Sequence, residues 1–266
     1  MFILALLIAG LIALVQWRAH ARETAANAAY PPIGELLDVN GVTVHAKVQG
    51  SGPDLVLLHG ASGNMRDFTF DMVDELATRY RVIGGAVALA WGLERPDQTA
   101  SIVLVSGVSE TWPGDLGWQY QLTGSVFGSA VVIPLITAFL PQSFVKASVD
   151  GIFAPQSTPD GYIDHIGANL SLRRTSMRAN AQQVNGLYPH IEKMIPRYDT
   201  LTMPVELIHG TADTIVPLEI HAAVLETQLA DATLTTLPGI GHMPQHVERA
   251  AVLDAIDRAA ARAGLR

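Results

Sequence analysis

The sequence predicts an α/β fold, a mostly parallel sheet with flanking helices and an inserted helical block. Three observations predict it. Leu55–Leu58 and Ile102–Val105 are short continuous apolar runs, the pattern of strands buried on both faces, and a further strand reads at Val205–Ile208. Helical periodicities separate the runs, as parallel crossovers require. From Val108 to about Thr200 the strand signal disappears and only helical patterns remain.

The chain opens on an unbroken run of apolar and glycine residues, Met1 to Val15, followed by Gln16, Trp17, Arg18 and Arg22. As a helix this run reaches roughly 22 Å, short of the roughly 30 Å hydrocarbon core unless Gln16 and Trp17 sit in the interface. Two readings of residues 1–18 stay open. One is a membrane anchor; the other is a secretory signal, because Ala19-His20-Ala21 resembles a small-x-small cleavage site. No basic residue precedes the run and arginines follow it, which favours an anchor with the core domain on the cytoplasmic side. A signal would instead make the protein secreted or periplasmic. Residues 19–35, Ala-rich and containing Pro31-Pro32, read as a linker.

Leu37 to Val48 alternates apolar and polar residues around Asn40-Gly41, a hairpin signal. The run Leu55–Leu58 ends at His59-Gly60. Phe68, Met72, Val73 and Leu76 follow at helical spacing. Arg81–Ile83 reads as a short strand running directly into Gly84–Trp91, a helix with small residues at its start. Ile102–Val105 closes at Ser106-Gly107. In the helical block Val126–Leu140 and Phe144–Phe153 are apolar, while Tyr162–Leu172 and Met177–Met194 are amphipathic. Strands return at Val205–Ile208 and Thr233–Leu237, and Ala250–Ala263 reads as a closing helix.

Composition excludes several functions. Hydrophobic residues make up 49% of the 266 and charged residues 16%, a balance suited to a sizeable buried core. The net charge of −8 argues against nucleic acid as a partner, because phosphate binding needs a basic face. With no cysteine, disulfides, thiolate metal sites and a cysteine nucleophile are excluded.

Four stretches resemble the α/β-hydrolase family and occur in its order. They are Leu58-His59-Gly60, Gly84-Gly85-Ala86-Val87-Ala88-Leu89-Ala90, Gly210-Thr211-Ala212-Asp213 with Val216-Pro217, and Gly239-Ile240-Gly241-His242 with Glu248. The resemblance assigns residues 36–107 and 200–266 to the core and 108–199 to a helical lid. It implies a cofactor-free and metal-free hydrolase acting on a small apolar ester or related molecule. Asp213 takes the place of the triad acid and His242 that of the base, in the family's chain order. His59-Gly60-Ala61 matches the oxyanion loop, with the Ala61 amide toward the developing charge and Ser62 beside the cavity. His242 and His246 stand four residues apart, but Pro244 lies between them and no H-E-x-x-H is present, which argues against zinc.

The nucleophile is missing from this pattern. The family carries its serine in G-x-S-x-G, a sharp strand-to-helix turn. Neither that motif nor its Asp or Cys equivalent occurs anywhere in the chain. The position two residues before Gly84-Gly85 is Val82, whose side chain has no nucleophilic atom. Tyr80–Ile83 resembles the strand that precedes a loop, a helix and the elbow strand, whereas Gly84 onward resembles the helix after the elbow. One helix and one strand are therefore absent, at least the ~30 residues of a βαβ crossover. The implied protein is a hydrolase by lineage, inactive or impaired as it stands. Two alternatives are a membrane-tethered binding or scaffold protein and an incomplete version of an active hydrolase. The shortened chain is also expected to slide Arg81–Ile83 into the central slot of the sheet, between Leu55–Leu58 and Ile102–Val105.

Overall fold

The computed structural model describes residues 1–85, 88–114 and 117–266. The chain begins with a single long helix, α1 (Phe2–Ala29). The expected linker from residue 19 is therefore helical as far as Ala29. Alanine is the strongest helix former, and a stripe of Val15, Ala19 and Ala26 is buried against the rest of the protein. The hairpin forms as read: β1 (Glu35–Val39) pairs with β2 (Val42–Ala46), and Asn40 and Gly41 both take positive φ at the turn.

Next come β3 (Val48–Gln49), β4 (Asp54–Leu58), the short helices α2 (Arg66–Thr69) and α3 (Val73–Leu76), and β5 (Arg81–Gly85). Helix α4 (Ala88–Glu94) then leads to β6 (Ile102–Val105). The helix expected from Gly84 starts later, because Gly84 and Gly85 extend β5 opposite Leu57 and Leu58; Ala86 and Val87 lie outside the described residues. The inserted block is helical: α5 (Trp118–Gly124), α6 (Ile133–Phe139), α7 (Gln142–Phe153), α8 (Tyr162–Ile166) and α9 (Arg174–Met194). Strand β7 (Val205–Gly210), α10 (Ala222–Gln228), β8 (Ala232–Leu237), α11 (Pro244–Val247) and α12 (Arg249–Arg262) complete the chain.

The strands form two half-sheets. In one, β5 lies between β3, antiparallel, and β4, parallel; in the other, β7 lies between β6 and β8, all parallel. The expectation that Arg81–Ile83 enters the central slot is thus overturned on one side. Val82 faces Leu55 across the β4 ladder, but its other neighbour is Gln49 of β3, and β6 pairs with β7. Staying in place keeps the β3 ladder, the Arg81–Asp54 ion pair and the Tyr80 hydroxyl on Asp257 of α12 at 2.6 Å. A move to the centre would break the β3 ladder and draw Tyr80 away from Asp257, whereas the Arg81–Asp54 pair lies across the β4–β5 ladder that either position keeps. The edges of β4 and β6 that an elbow strand would join have no strand partner among the described residues.

One core spans both halves. Leu57, Val82, Met72, Leu76 and Tyr80 join Ile208, Leu237 and the Val252, Leu253, Ile256 and Ala260 stripe of α12. Each large apolar side chain removed from water there contributes roughly 1.5–3 kcal/mol. A second cluster packs α4 and α10 on the other face of β6–β8, so β7 is buried along its whole length. Its one acidic side chain, Glu206, is held by Arg258 at 3.0 Å and Arg262 at 2.5 Å from α12. The face of β4 opposite α3 has no such cover, and Val56 stays 53% exposed.

Candidate functional site

The ends of β7 and β8 bring Asp213 and His242 together. Gly210 closes β7, and a side chain there would come within 2.1 Å of the Ile240 carbonyl, so glycine lets the two loops touch. The Thr211 N–H donates to the Leu237 carbonyl at 3.0 Å, and the Ala212 N–H donates to the Ile240 carbonyl at 2.9 Å. Gln156, from the segment after α7, braces the second loop from the side of the inserted helical block. Its amide nitrogen donates to the Gly239 carbonyl at 2.8 Å and its oxygen accepts from the Gly241 N–H at 2.9 Å.

The fully buried Asp213 carboxylate accepts the Ile215 and Val216 N–H groups at 2.9 Å each and His242 Nδ1–H at 2.8 Å. His209 Nε2 stands 3.4 Å away and also donates to the Val216 carbonyl at 2.7 Å. Burial opposes ionisation of Asp213, but the bonds from His209, His242 and the backbone outweigh it and hold the carboxyl far below the usual range. A permanently charged carboxylate on Nδ1 fixes the tautomer that leaves His242 Nε2 with a free lone pair. The His242 side chain is 24% exposed, so that nitrogen is reachable, and no hydroxyl bonds to it among the described residues.

The other predicted site residues lie elsewhere. His59, Gly60 and Ser62 open on a groove of about 450 Å3 between the hairpin, the end of α1 and α9. Neither Asp213 nor His242 lines it. His59 Nδ1 donates to the Gly60 carbonyl at 3.0 Å, and Ala61 is exposed. Ser62 takes a φ of 62°. Its N–H donates to Asn180 Oδ1 at 2.8 Å and its carbonyl accepts from the Ser171 hydroxyl at 2.7 Å, so its backbone is fastened to the inserted helical block. The bond to the start of α2 comes from Asn64, whose Oδ1 accepts the Arg66 N–H at 2.9 Å. Val82 is the second residue of β5, 3% exposed in the core and far from the strand's C-terminal end. The position that would carry the nucleophile by alignment is thus a core position.

Sequence reading missed a buried polar layer beside Asp213. His221 Nδ1 accepts the Glu110 N–H at 3.1 Å, and burial followed by the nearby His209 pulls its pKa down to about 4. Burial pushes the Glu110 carboxyl up. Ser106, in the left-handed region at the end of β6, buries an unpartnered hydroxyl. Lone histidines and serines scattered over a hundred residues give no local signal.

A family model, that of serine aminopeptidase S33, matches residues 82–249. That span is well over half the chain and contains both Asp213 and His242. The chain belongs to the serine aminopeptidase S33 family. Its fold is that of the α/β-hydrolases. A pimeloyl-acyl-carrier-protein methyl ester esterase of Aromatoleum aromaticum is 25% identical over 91% of this chain and 95% of its own. The esterase of the same name from Nitrosomonas europaea is 22% identical over 76% of this chain and 93% of its own. Among solved structures, a putative lipase from Acinetobacter baumannii superposes with a TM-score of 0.64 at 15% identity, covering 93% of this chain and 97% of its own. The S33 family match begins at Val82, so the match takes in β5 and leaves β4 with His59-Gly60 outside.

Proposed function

We propose that this S33-family chain is a membrane-tethered hydrolase by descent that keeps the acid and base of a triad but has lost the nucleophile. Its hydrolysis of a small apolar ester is thereby abolished or severely impaired. The observation that carries the reading is His242: it is oriented by Asp213 at 2.8 Å, and among the described residues no hydroxyl bonds to its Nε2. A base of this kind raises the rate only when a positioned oxygen gives up its proton to it. An enzyme lacking a triad member keeps only about 10³–10⁴-fold over water, from oxyanion stabilisation and binding. Here even that remnant is weakened, because the groove at His59–Ser62 is not lined by the acid–histidine pair. The ester class is supported by the names of the two esterase relatives, and the tether by α1, whose mean hydropathy reaches 2.1 over an 18-residue window.

The test is hydrolysis of short p-nitrophenyl esters by the full chain. The rate is expected near the uncatalysed background, with His242→Ala changing it less than about twofold, because non-additive triad members contribute nothing once the nucleophile is gone. A robust rate that Ser62→Ala abolishes would overturn the reading and identify Ser62 as a relocated nucleophile.

A further inference from the structure

The lid presents an apolar face that none of the described residues covers. From Leu116 to Val145 the sequence holds thirty residues without a single Asp, Glu, Lys, Arg or His. Much of that stretch is on the surface: Val126 is 90% exposed and Phe127 64%, with Val131, Leu135, Phe139 and Phe144 exposed beside them. Monomeric soluble proteins rarely expose contiguous apolar patches of this kind without a function.

Its position says what meets it. Ala138 of α6 packs between Val15 and Ala19 of α1. Arg18 donates to the Ala138 carbonyl at 2.8 Å and Arg22, a turn later, to the Leu140 carbonyl at 3.0 Å. The two segments therefore run in the same sense, and the earlier part of α6, with Leu135, lies toward the apolar end of α1. Residues 1–14 of α1 are exposed and extend roughly 20 Å at 1.5 Å per residue. Basic side chains stand at the border of the apolar face. Arg178 reaches the Ser129 carbonyl at 3.3 Å, and neither it nor Arg18 nor Arg22 has a carboxylate partner among the described residues.

We propose that the lid face built from α6, its preceding turn and Phe144 is immersed in the bilayer interface beside α1, with Arg18, Arg22 and Arg178 meeting anionic headgroups. This rests on the tether in the proposed function. An exposed aromatic and aliphatic face rimmed by arginines is the composition of a surface that lies in the headgroup boundary.

The absence of cysteine makes the test clean. The full chain, reconstituted into phosphatidylcholine–phosphatidylglycerol vesicles, carries an environment-sensitive fluorophore at Phe127→Cys, Leu135→Cys or, as a control in the core domain outside the lid, Asp97→Cys. All three sites are exposed, so the label does not disturb packing. A blue shift at 127 and 135, loss of their emission to doxyl-labelled acyl chains, and an unchanged label at 97 are expected. Vesicles of phosphatidylcholine alone should give a smaller shift. Chain that floats with the vesicles while 127 and 135 stay aqueous overturns the lid proposal and leaves the tether standing. Chain that does not float overturns both. A concentration-dependent shift without vesicles assigns the face to a second copy and overturns the bilayer assignment.

Discussion

His246 shows how little a spacing fixes about a residue's chemistry. It stands four residues after His242, yet Nδ1 bonds Asp71 and Nε2 bonds Asp67, both at 2.9 Å, and Tyr162 of α8 donates to the same Asp67. Burial opposes the charged ring, but the two carboxylates outweigh it and raise its pKa to about 9 from 6.5. Asp67 is held below its usual 3.8. A histidine raised in this way contributes stability that is fully present below pH 6.5 and is lost as pH rises through 9. The Asp67 contribution is lost on the acid side, as pH falls below 3.8. The folded chain should therefore be most stable between those limits. It should lose about 3 kcal/mol from this clasp by high pH, since each tenfold gain in proton affinity is worth about 1.4 kcal/mol. Asp67→Asn leaves a buried imidazolium half-compensated and should cost about 3–5 kcal/mol at pH 6, read by urea unfolding. A loss under about 1 kcal/mol would show that the clasp is not charged. Nothing in the sequence pairs residue 246 with residues 67 and 71. By contrast Asp213 and His242 were legible, because each follows a strand and a turn that carry their own local signals.

Elements were legible where local chemistry determines them, and strand partners were not. Leu55–Leu58 and Ile102–Val105 are strands because their apolar runs fit buried pleats, and Asn40-Gly41 turns the hairpin because both residues tolerate positive φ. The neighbour of β5 depends instead on long-range contacts: Tyr80 to Asp257, Val82 in the shared core, Gln49 across the ladder. Those contacts outweighed the gain from filling the centre. The consequence, among the described residues, is an open edge on β4 and on β6 and a bare face at Val56, the arrangement that recruits other chains into edge pairing. Val56→Lys should raise the temperature at which light scattering begins while changing the unfolding free energy by less than about 0.5 kcal/mol, as exposed substitutions do. Destabilisation above about 1.5 kcal/mol would show that another element covers this face in solution.

At the scale of the molecule, the two parts of the expected catalytic centre are both present but separated. The acid–histidine pair hangs from the half-sheet β6–β8, the His59–Ser62 loop from the half-sheet β3–β5, and no strand among the described residues joins them. That the chain has no G-x-S-x-G was legible in the sequence alone, because a motif search needs no structure. How the remaining strands close around the gap was not legible, since the ladder energies that decide it involve residues far apart in the chain. The central claim is that no nucleophile faces His242. Intact-mass spectrometry after exposure to a fluorophosphonate tests it most directly, because the reagent adds only to a hydroxyl activated by a neighbouring base. The account predicts an unmodified mass. A stoichiometric adduct on a serine such as Ser62 or Ser106, lost in His242→Ala, would contradict it.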